Sequence, residues 1–348
     1  MPVKYWSFAG LMLTYWCNAR CASCYLCCSP TRREEMSVAQ ALGYWAGLAE
    51  ASPHGCRMHL SGGEPFGNWP RLIDLCLRAQ HAGITARAPL VKVETNAFWA
   101  TDESIVRDRL VQLDRAGMGK LSISADPYHQ QFVPIANCRL AARVAAEILG
   151  PDRVQVRWRD WLEDGFDTDS LSDAERGGLF VSYAAKGKDR FNGRAAEVLA
   201  GAVIANSSGP MQRKSPDKFV DNPCRHALLR SRHVHVDASG LVMPGTCAGI
   251  VLGDASKEPV SRIWARLDDD HDAREIVGTL SREGPAGLLR LAEENGYEWR
   301  KDCPTGYVGK CHLCWSVRRF LSVSGKHHAE LGPGWLYEPE RAGQSQGE

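Results

Sequence analysis

Five cysteines lie within twelve residues near the start of the chain, in the segment CNARCASCYLCC at positions 17–28. Two sets of three can be drawn through this segment. Cys17, Cys21 and Cys24 have the spacing C-x3-C-x2-C, whereas Cys21, Cys24 and Cys27 have the spacing C-x2-C-x2-C. Thiolates at such spacings bind metal ions or iron–sulfur clusters. The first set would leave one iron of a four-iron cluster open for chemistry, and the second would need a distant fourth ligand.

The remaining cysteines include a second group toward the C-terminus. The chain has 13 cysteines, an odd number, and its N-terminus lacks a secretion signal, so clustered cysteines favour metal ligation over disulfides. The second group comprises Cys224, Cys247, Cys303, Cys311 and Cys314, the last two in the C-x2-C sequence CHLC.

Glycine-rich and polar motifs come at the ends of several predicted strands. SGGEP (61–65) ends the second strand, VETNAFWA (93–100) the third and SISADPYHQQF (122–132) the fourth. Arg157 and Arg159 lie on the fifth. Because ligands collect at the carboxyl ends of parallel strands, these motifs are expected to share one site with the cysteine loop.

The C-x3-C-x2-C loop after the first strand and the GGE sequence after the second resemble the radical S-adenosylmethionine (radical SAM) superfamily. The resemblance implies that Cys17, Cys21 and Cys24 hold three irons of a [4Fe–4S] cluster and act in catalysis. The fourth iron would bind the amino and carboxylate groups of SAM. Reduction would then release a 5′-deoxyadenosyl radical that abstracts hydrogen from a substrate. Cys27 and Cys28 would be loop-packing residues.

The same resemblance implies which further residues contact SAM. Gly62, Gly63 and Glu64 would lie at its ammonium group, for which a carboxylate is a suitable partner. Other candidates come at the ends of the later strands: Thr95, Asn96, Ser122, Ser124, Asp126 and Arg157. If the fourth strand is regular, its two serines and its aspartate share one face. Two positions depart from the family pattern, since Ser23 replaces an aromatic residue and Ala97 replaces a glycine.

The C-terminal cysteines resemble the accessory SPASM/twitch modules of radical SAM enzymes. In these modules a cysteine, a hairpin cysteine and a later C-x2-C hold an auxiliary [4Fe–4S] cluster. Cys224, Cys247, Cys311 and Cys314 fit the single-cluster twitch form, and Cys303 could replace Cys224. A structural zinc site is the alternative, because zinc uses the same ligands.

Strand-like and helix-like segments alternate in the first half of the chain, which predicts parallel strands with right-handed crossovers. The six predicted strands are 8–16, 56–62, 89–96, 120–126, 153–161 and 179–185. The predicted helices are 37–51, 69–83, 102–117, 135–150 and one that starts at 171–178. The expected fold class is α/β, a partial (β/α)6 TIM-like barrel with a small C-terminal α+β domain that carries the auxiliary cluster.

The expected domains are a radical SAM core at 1–204, a linker at 205–220, an auxiliary cluster domain at 221–325 and a tail at 326–348. The linker prediction rests on a Ser-, Pro- and Lys-rich composition. A β-hairpin is predicted at 233–245, where polar and apolar residues alternate on both sides of a glycine-containing turn.

The amino-acid composition gives no indication of two classes of partner, nucleic acids and anionic membranes. The 348 residues carry a net charge of +1, which gives no reason to expect nucleic acid or an anionic membrane as partner. Without a signal peptide or a long apolar run, we expect a cytoplasmic protein. The expected partners are a reductant, such as flavodoxin or ferredoxin, and a peptide or small-molecule substrate. The alternative is a non-catalytic iron–sulfur or zinc-binding protein, which would not bind SAM.

Overall fold

The computed structural model describes residues 3–206 and 211–338. Its strands are β1 (Phe8–Met12), β2 (Arg57–Ser61), β3 (Leu90–Thr95), β4 (Leu121–Ile123), β5 (Val154–Val156), β6 (His233–Val236), β7 (Leu241–Pro244) and β8 (Gly253–Asp254). Its helices are α1 (Val38–Ala51), α2 (Trp69–His81), α3 (Glu103–Arg115), α4 (Ile135–Leu149), α5 (Arg159–Asp164), α6 (Asp173–Ala184), α7 (Ala200–Ala205), α8 (Val260–Asp270), α9 (Glu275–Glu294), α10 (Trp299–Asp302) and α11 (Lys310–Val323). Within the described part of the chain, none of these helices has the length and apolar character needed to cross a membrane.

The strands form one eight-stranded sheet in the order β5-β4-β3-β2-β1-β6-β7-β8. Strands β1 to β6 are parallel to their neighbours within this order, and β7 and β8 are added antiparallel. The sheet is open over the described residues, since its order begins at β5 and ends at β8. The α/β fold class is therefore confirmed, with a mostly parallel sheet that is not closed.

One face of the sheet is apolar and the other is polar, because neighbouring residues of a strand point to opposite faces. Leu11, Leu60 and Val93 are fully buried. Burial of each such side chain contributes roughly 1.5–3 kcal/mol, and helices α1 and α4 pack against the sheet. The alternate positions carry polar residues such as His59 and Glu94. The polar face is therefore the face of the sheet that can bind polar ligands.

The sixth predicted strand is wrong, because residues 179–185 fall largely in helix α6. The helix begins with a capping box. The side chain of Ser172 accepts from the backbone N–H of Glu175, and the Glu175 carboxylate accepts from the Ser172 N–H. From this start, Phe180 and Ala184 lie one turn apart and are both buried. The apolar run therefore forms a buried helix face.

A parallel strand from the predicted hairpin takes the sixth position. The hairpin at 233–245 is confirmed as β6 and β7, and β6 also pairs in parallel with β1. The sheet thus passes across the predicted boundary between the core at 1–204 and the domain at 221–325. The domain boundaries stay a prediction. Positions 207–210 of the linker and 339–348 of the tail lie outside the described residues.

The first five strands are all shorter than predicted, most of all β1, β4 and β5. Strand β4 ends at Ile123, and β5 ends at Val156 as an edge strand with one neighbour. Arg159, expected on the fifth strand, is instead an exposed residue of helix α5.

The turn after β2 lies directly on the backbone of the loop after β1. The N–H of Gly63 donates to the carbonyl of Thr14 at 2.6 Å, and the N–H of Glu64 donates to the carbonyl of Trp16 at 2.9 Å. A Cβ atom on Gly63 would stand 1.9 Å from the Trp16 oxygen. Gly62, with a φ of 138°, would place its Cβ 2.5 Å from the Thr14 oxygen. The glycine pair is therefore needed for the contact between the two loops.

We expect Gly63→Ala to lower the free energy of unfolding by about 1–3 kcal/mol, because the added methyl group collides with backbone that has no room to move. Gly43→Ala is the matched control. Gly43 lies in helix α1, and a Cβ added there would have nothing within 4 Å, so alanine should raise stability by roughly 0.5–1 kcal/mol. Denaturant unfolding followed by circular dichroism measures both. Equal effects of the two changes would contradict the loop contact.

Candidate active site

A cavity of about 140 Å³ opens where the parallel strands end. One wall is the cysteine loop, residues 17–28, which follows β1. The loops after β2 to β5 supply the others. Of the residues proposed from the sequence, those that line the cavity are Cys17, Cys21, Cys24, Gly62, Gly63, Thr95, Asn96, Ser124 and Arg157. The topology therefore brings the sequence motifs to one place.

The cysteine loop turns so that the C-x3-C-x2-C set faces the cavity. The N–H of Cys24 donates to the carbonyl of Cys21 at 3.0 Å, which closes a turn. Cys27 has a φ of 52° and does not line the cavity. Cys28 does line it, and its N–H donates to the sulfur of Cys24 at 3.4 Å. Of the two cysteine sets drawn from the sequence, the one that faces the cavity is therefore Cys17, Cys21 and Cys24. Cys28 lies beside this set as a hydrogen-bond donor.

Arg194 anchors the cysteine loop from a distant part of the chain. Its guanidinium donates to the carbonyls of Cys21 at 3.3 Å and Cys28 at 2.9 Å. The backbone N–H of Arg194 donates to the carbonyl of Cys24 at 3.0 Å. The side chain is 3% exposed, and hydrogen bonds from a buried charged group contribute about 1.5–3 kcal/mol. Sequence reasoning missed this positioning residue.

The thiol groups of the loop differ in acidity. The hydrogen bond from the Cys28 thiol is the main reason that the pKa of Cys24 falls to about 5, and the Arg194 charge and the Cys28 backbone N–H lower it further against the opposing effect of burial. Burial raises the pKa of Cys17, and the nearby Cys21 and Glu64 raise it further. One thiolate is therefore ready for metal at neutral pH, whereas Cys17 must lose a proton as metal binds.

Glu64 is buried behind the cavity and holds two strand ends together. Its carboxylate accepts from the Thr95 hydroxyl at 2.9 Å, the Asn96 N–H at 2.7 Å and the Phe66 N–H at 3.1 Å. Burial raises its pKa to about 7, and the three hydrogen bonds counter part of that rise. Asn96 in turn donates from its side-chain amide to the sulfur of Cys17 at 3.6 Å. Glu64 thus positions a residue that touches the cysteine loop.

The loop after β4 brings His129 into the cavity and keeps Asp126 beneath it. Asp126 is fully buried and accepts from the N–H and the ring Nδ1 of His129, at 2.9 and 2.8 Å. Arg157 lies on the other side, with its Nε 3.2 Å from Asp126. Neither Ser122 nor Asp126 lines the cavity, whereas Ser124 does. Strand β4 ends at Ile123, so the expected alternation does not extend to position 126.

Four C-terminal cysteines line a second cavity. This cysteine quartet consists of Cys224, Cys247, Cys311 and Cys314. Cys303 lies outside that cavity, where its thiol donates to the carbonyl of Gly306 at 3.0 Å. Of the two candidates for the remaining position of this group, the geometry therefore favours Cys224.

A zinc ion and an iron–sulfur cluster hold their cysteine sulfur atoms at different distances. A Zn–S distance of about 2.3 Å places the sulfurs of a tetrahedral site roughly 3.8 Å apart. Across residues 3–206 and 211–338, no three cysteine sulfurs lie within 4.8 Å of one another. An all-thiolate donor set of this kind fits an iron–sulfur cluster, and also the structural zinc site that the sequence leaves as the alternative.

No protein-family model matches the chain. The structure is similar to that of BtrN in complex with AdoMet and 2-DOIA, with 16% sequence identity over 78% of this chain and 91% of that one, and a TM-score of 0.42. It is also similar to native anSMEcpe with bound AdoMet and Cp18Cys peptide, with 11% identity over 92% of this chain and 99% of that one, and a TM-score of 0.44.

In the metal-free chain, we expect alkylation of Cys24 to depend on pH with a midpoint near 5, because its thiolate persists above the lowered pKa. Cys17 should react only in alkaline solution, since its pKa is raised. Site-resolved mass spectrometry after iodoacetamide pulses measures both profiles. Arg194→Met should move the Cys24 midpoint upward by removing a cation, whereas the exposed control Arg300→Met should not. Coincident profiles for Cys17 and Cys24 would contradict the assignment.

Proposed function

We propose that the chain is a radical SAM enzyme. The observation that carries the proposal is the shared cavity, in which Cys17, Cys21 and Cys24 face the glycine turn after β2 and the polar ends of β3 to β5. Three thiolates on one short loop suit an iron–sulfur cluster. The side chains of Asn96, His129 and Arg157 in the same cavity suit a zwitterionic ligand of that cluster.

The donor set fits a [4Fe–4S] cluster, with Cys17, Cys21 and Cys24 as its ligands. The chemistry that such a cluster would supply is one-electron reductive cleavage of SAM to methionine and a 5′-deoxyadenosyl radical. A reductant such as flavodoxin or ferredoxin would provide the electron. Cys28 and Arg194 act on the loop itself, because their hydrogen bonds fix its carbonyls and one sulfur.

Several residues would orient SAM. Arg157 lines the cavity and is about one-third exposed. Its guanidinium is paired with Asp126 and Asp189, and we propose that its remaining N–H groups bind the SAM carboxylate. We propose that Thr95, Asn96 and Ser124 bind further polar groups. Glu64 remains the proposed partner of the ammonium group, although in the structure its oxygens hold the β3 loop.

We propose that the cysteine quartet holds an auxiliary [4Fe–4S] cluster. Its four thiolates would complete the ligation of that cluster, which favours electron transfer over substrate binding. Burial raises the pKa of Cys314 and would disfavour the reduced, more negative state of the cluster, whereas the nearby charge of Arg318 counters part of that rise and would stabilise the reduced state. We propose a peptide or a small molecule as substrate, because the polar face of the sheet offers charged and hydrogen-bonding side chains beside the cavity.

Anaerobic reconstitution of the full chain should give about eight irons per chain. Addition of SAM and dithionite should then release 5′-deoxyadenosine, detected by liquid chromatography. Changing Cys17, Cys21 and Cys24 together to alanine should remove roughly half the iron and all SAM cleavage. Cys76→Ala, a buried cysteine of helix α2 outside both groups, should leave both unchanged. Persistent zinc without SAM cleavage would support the non-catalytic alternative.

The ligands of the auxiliary cluster can be tested by two single changes. Cys224→Ala should lower the iron content toward about four per chain, because a ligand of the quartet is lost. Cys303→Ala should keep the full content, since Cys303 lies outside the second cavity. Iron and sulfide analysis measures both, and 5′-deoxyadenosine formation should survive in each variant. Iron loss from the Cys303 variant alone would assign that cysteine instead.

A further inference from the structure

Three histidines meet on the polar face of the sheet, and the proposed function gives none of them a role of its own. This His triad consists of His59 on β2 and His233 and His235 on β6. Each offers one ring nitrogen, and the three nitrogens lie within 4.8 Å of one another. Over the described residues, no other group of three histidine, cysteine or carboxylate ligands meets this spacing.

The triad can form because strand β1, which lies between β2 and β6, has a glycine at the position where the histidines meet. His233 and His235 are two residues apart on β6, so they share a face. His59 comes from β2, on the opposite side of β1. Gly10 of β1 pairs with both His59 and His235. A Cβ on Gly10 would stand 2.3 Å from Nε2 of His59 and 2.7 Å from the ring of His235, so the missing side chain is the space in which the rings meet.

The distance between two of the three histidines fits a tetrahedral metal site. The Nε2 atoms of His59 and His233 are 3.2 Å apart. Zn–N bonds of about 2.0–2.1 Å place two ligand nitrogens of a tetrahedral zinc site roughly 3.3–3.4 Å apart. Nε2 of His235 is buried and has no hydrogen-bond partner in the structure. A buried acceptor of this kind calls for a ligand, because an unpaired polar atom is costly.

Charged and polar side chains lie beside His59 of the triad. Nδ1 of His59 lies 3.3 Å from the Glu94 carboxylate. That carboxylate also accepts from Lys92 at 2.6 Å and from the Ser61 hydroxyl at 2.9 Å. A histidine ligand typically donates its second ring N–H to a carboxylate, which leaves its other nitrogen free for metal. The Glu94 carboxylate lies beside Nδ1 of His59, although without hydrogen-bond geometry in this structure, and Nε2 of His59 faces His233.

We propose that His59, His233 and His235 bind a divalent transition-metal ion, for which Zn²⁺ is the probe. Three protein ligands leave a fourth position, as in catalytic rather than structural zinc sites. The triad borders a cavity of about 240 Å³ whose other walls include Thr246 and Lys188. The fourth position would take water or an oxygen donor of a ligand in that cavity. The proposal requires neither cluster nor SAM and stands apart from the proposed function.

The test uses the full chain with its clusters reconstituted anaerobically, loaded with Zn²⁺ and desalted. Elemental analysis should find one zinc per chain above the level of the His235→Asn variant. X-ray absorption at the zinc edge should show a shell of nitrogen and oxygen at about 2.0–2.1 Å, because a zinc ion held by cysteines would show sulfur near 2.3 Å. Chelator competition should show an affinity at least about 100-fold lower for His235→Asn, since loss of a ligand exceeds the effect of outer-shell changes.

The control is His54→Asn, an exposed histidine in a turn, which should bind zinc as the wild type does. Circular dichroism checks that each variant folds. If His235→Asn does not fold, His233→Asn at a partly exposed position replaces it. A sulfur shell, or equal zinc content in the wild type and a folded triad variant, would overturn the proposal. A chain that cleaves SAM without binding zinc would overturn this site alone.

Discussion

Strand β1 is hydrogen-bonded on both sides by parallel strands, and the rest of the structure depends on that arrangement. Its neighbours are β2, which follows it closely in the chain, and β6, which comes from the last third. The cysteine loop leaves the end of β1, so its position is set by both neighbours. In the middle of the same strand, Gly10 leaves room for side chains from both sides. One strand therefore organises the cysteine site and the His triad.

The cysteine loop is held mainly through its backbone. Arg194 binds two of its carbonyls, and the turn at Gly63 contacts the residues before it. These contacts leave the sulfur atoms facing the cavity. An arginine in this position also adds positive charge beside thiolates, which would otherwise repel one another in a buried site. The same residue thus fixes the shape of the loop and favours its ligating state.

Much of the site was predictable because its motifs are local. The cysteine spacing, the glycines at 62–63 and the polar residues at 95–96 each end an apolar strand, and parallel strands place such ends together. The run 179–185 was ambiguous, because a short apolar segment suits a strand or a buried helix. Arg194 and the His triad were beyond sequence reasoning, since each depends on which distant segments become neighbours. The HVHV pattern of β6 placed two histidines on one face, but nothing local indicated the third.

The pairing of β1 with β6 also bears on the order in which the chain matures. Tyr15, beside the cysteine loop, donates to Asp237 at the end of β6, a contact between residues 222 positions apart in the chain. Contacts of such long range form late, because the entropy of closing the loop must be overcome first. During synthesis the cysteine loop leaves the ribosome well before β6 does. The nascent loop therefore stays without its second supporting strand until then, and its final shape is a late product of folding.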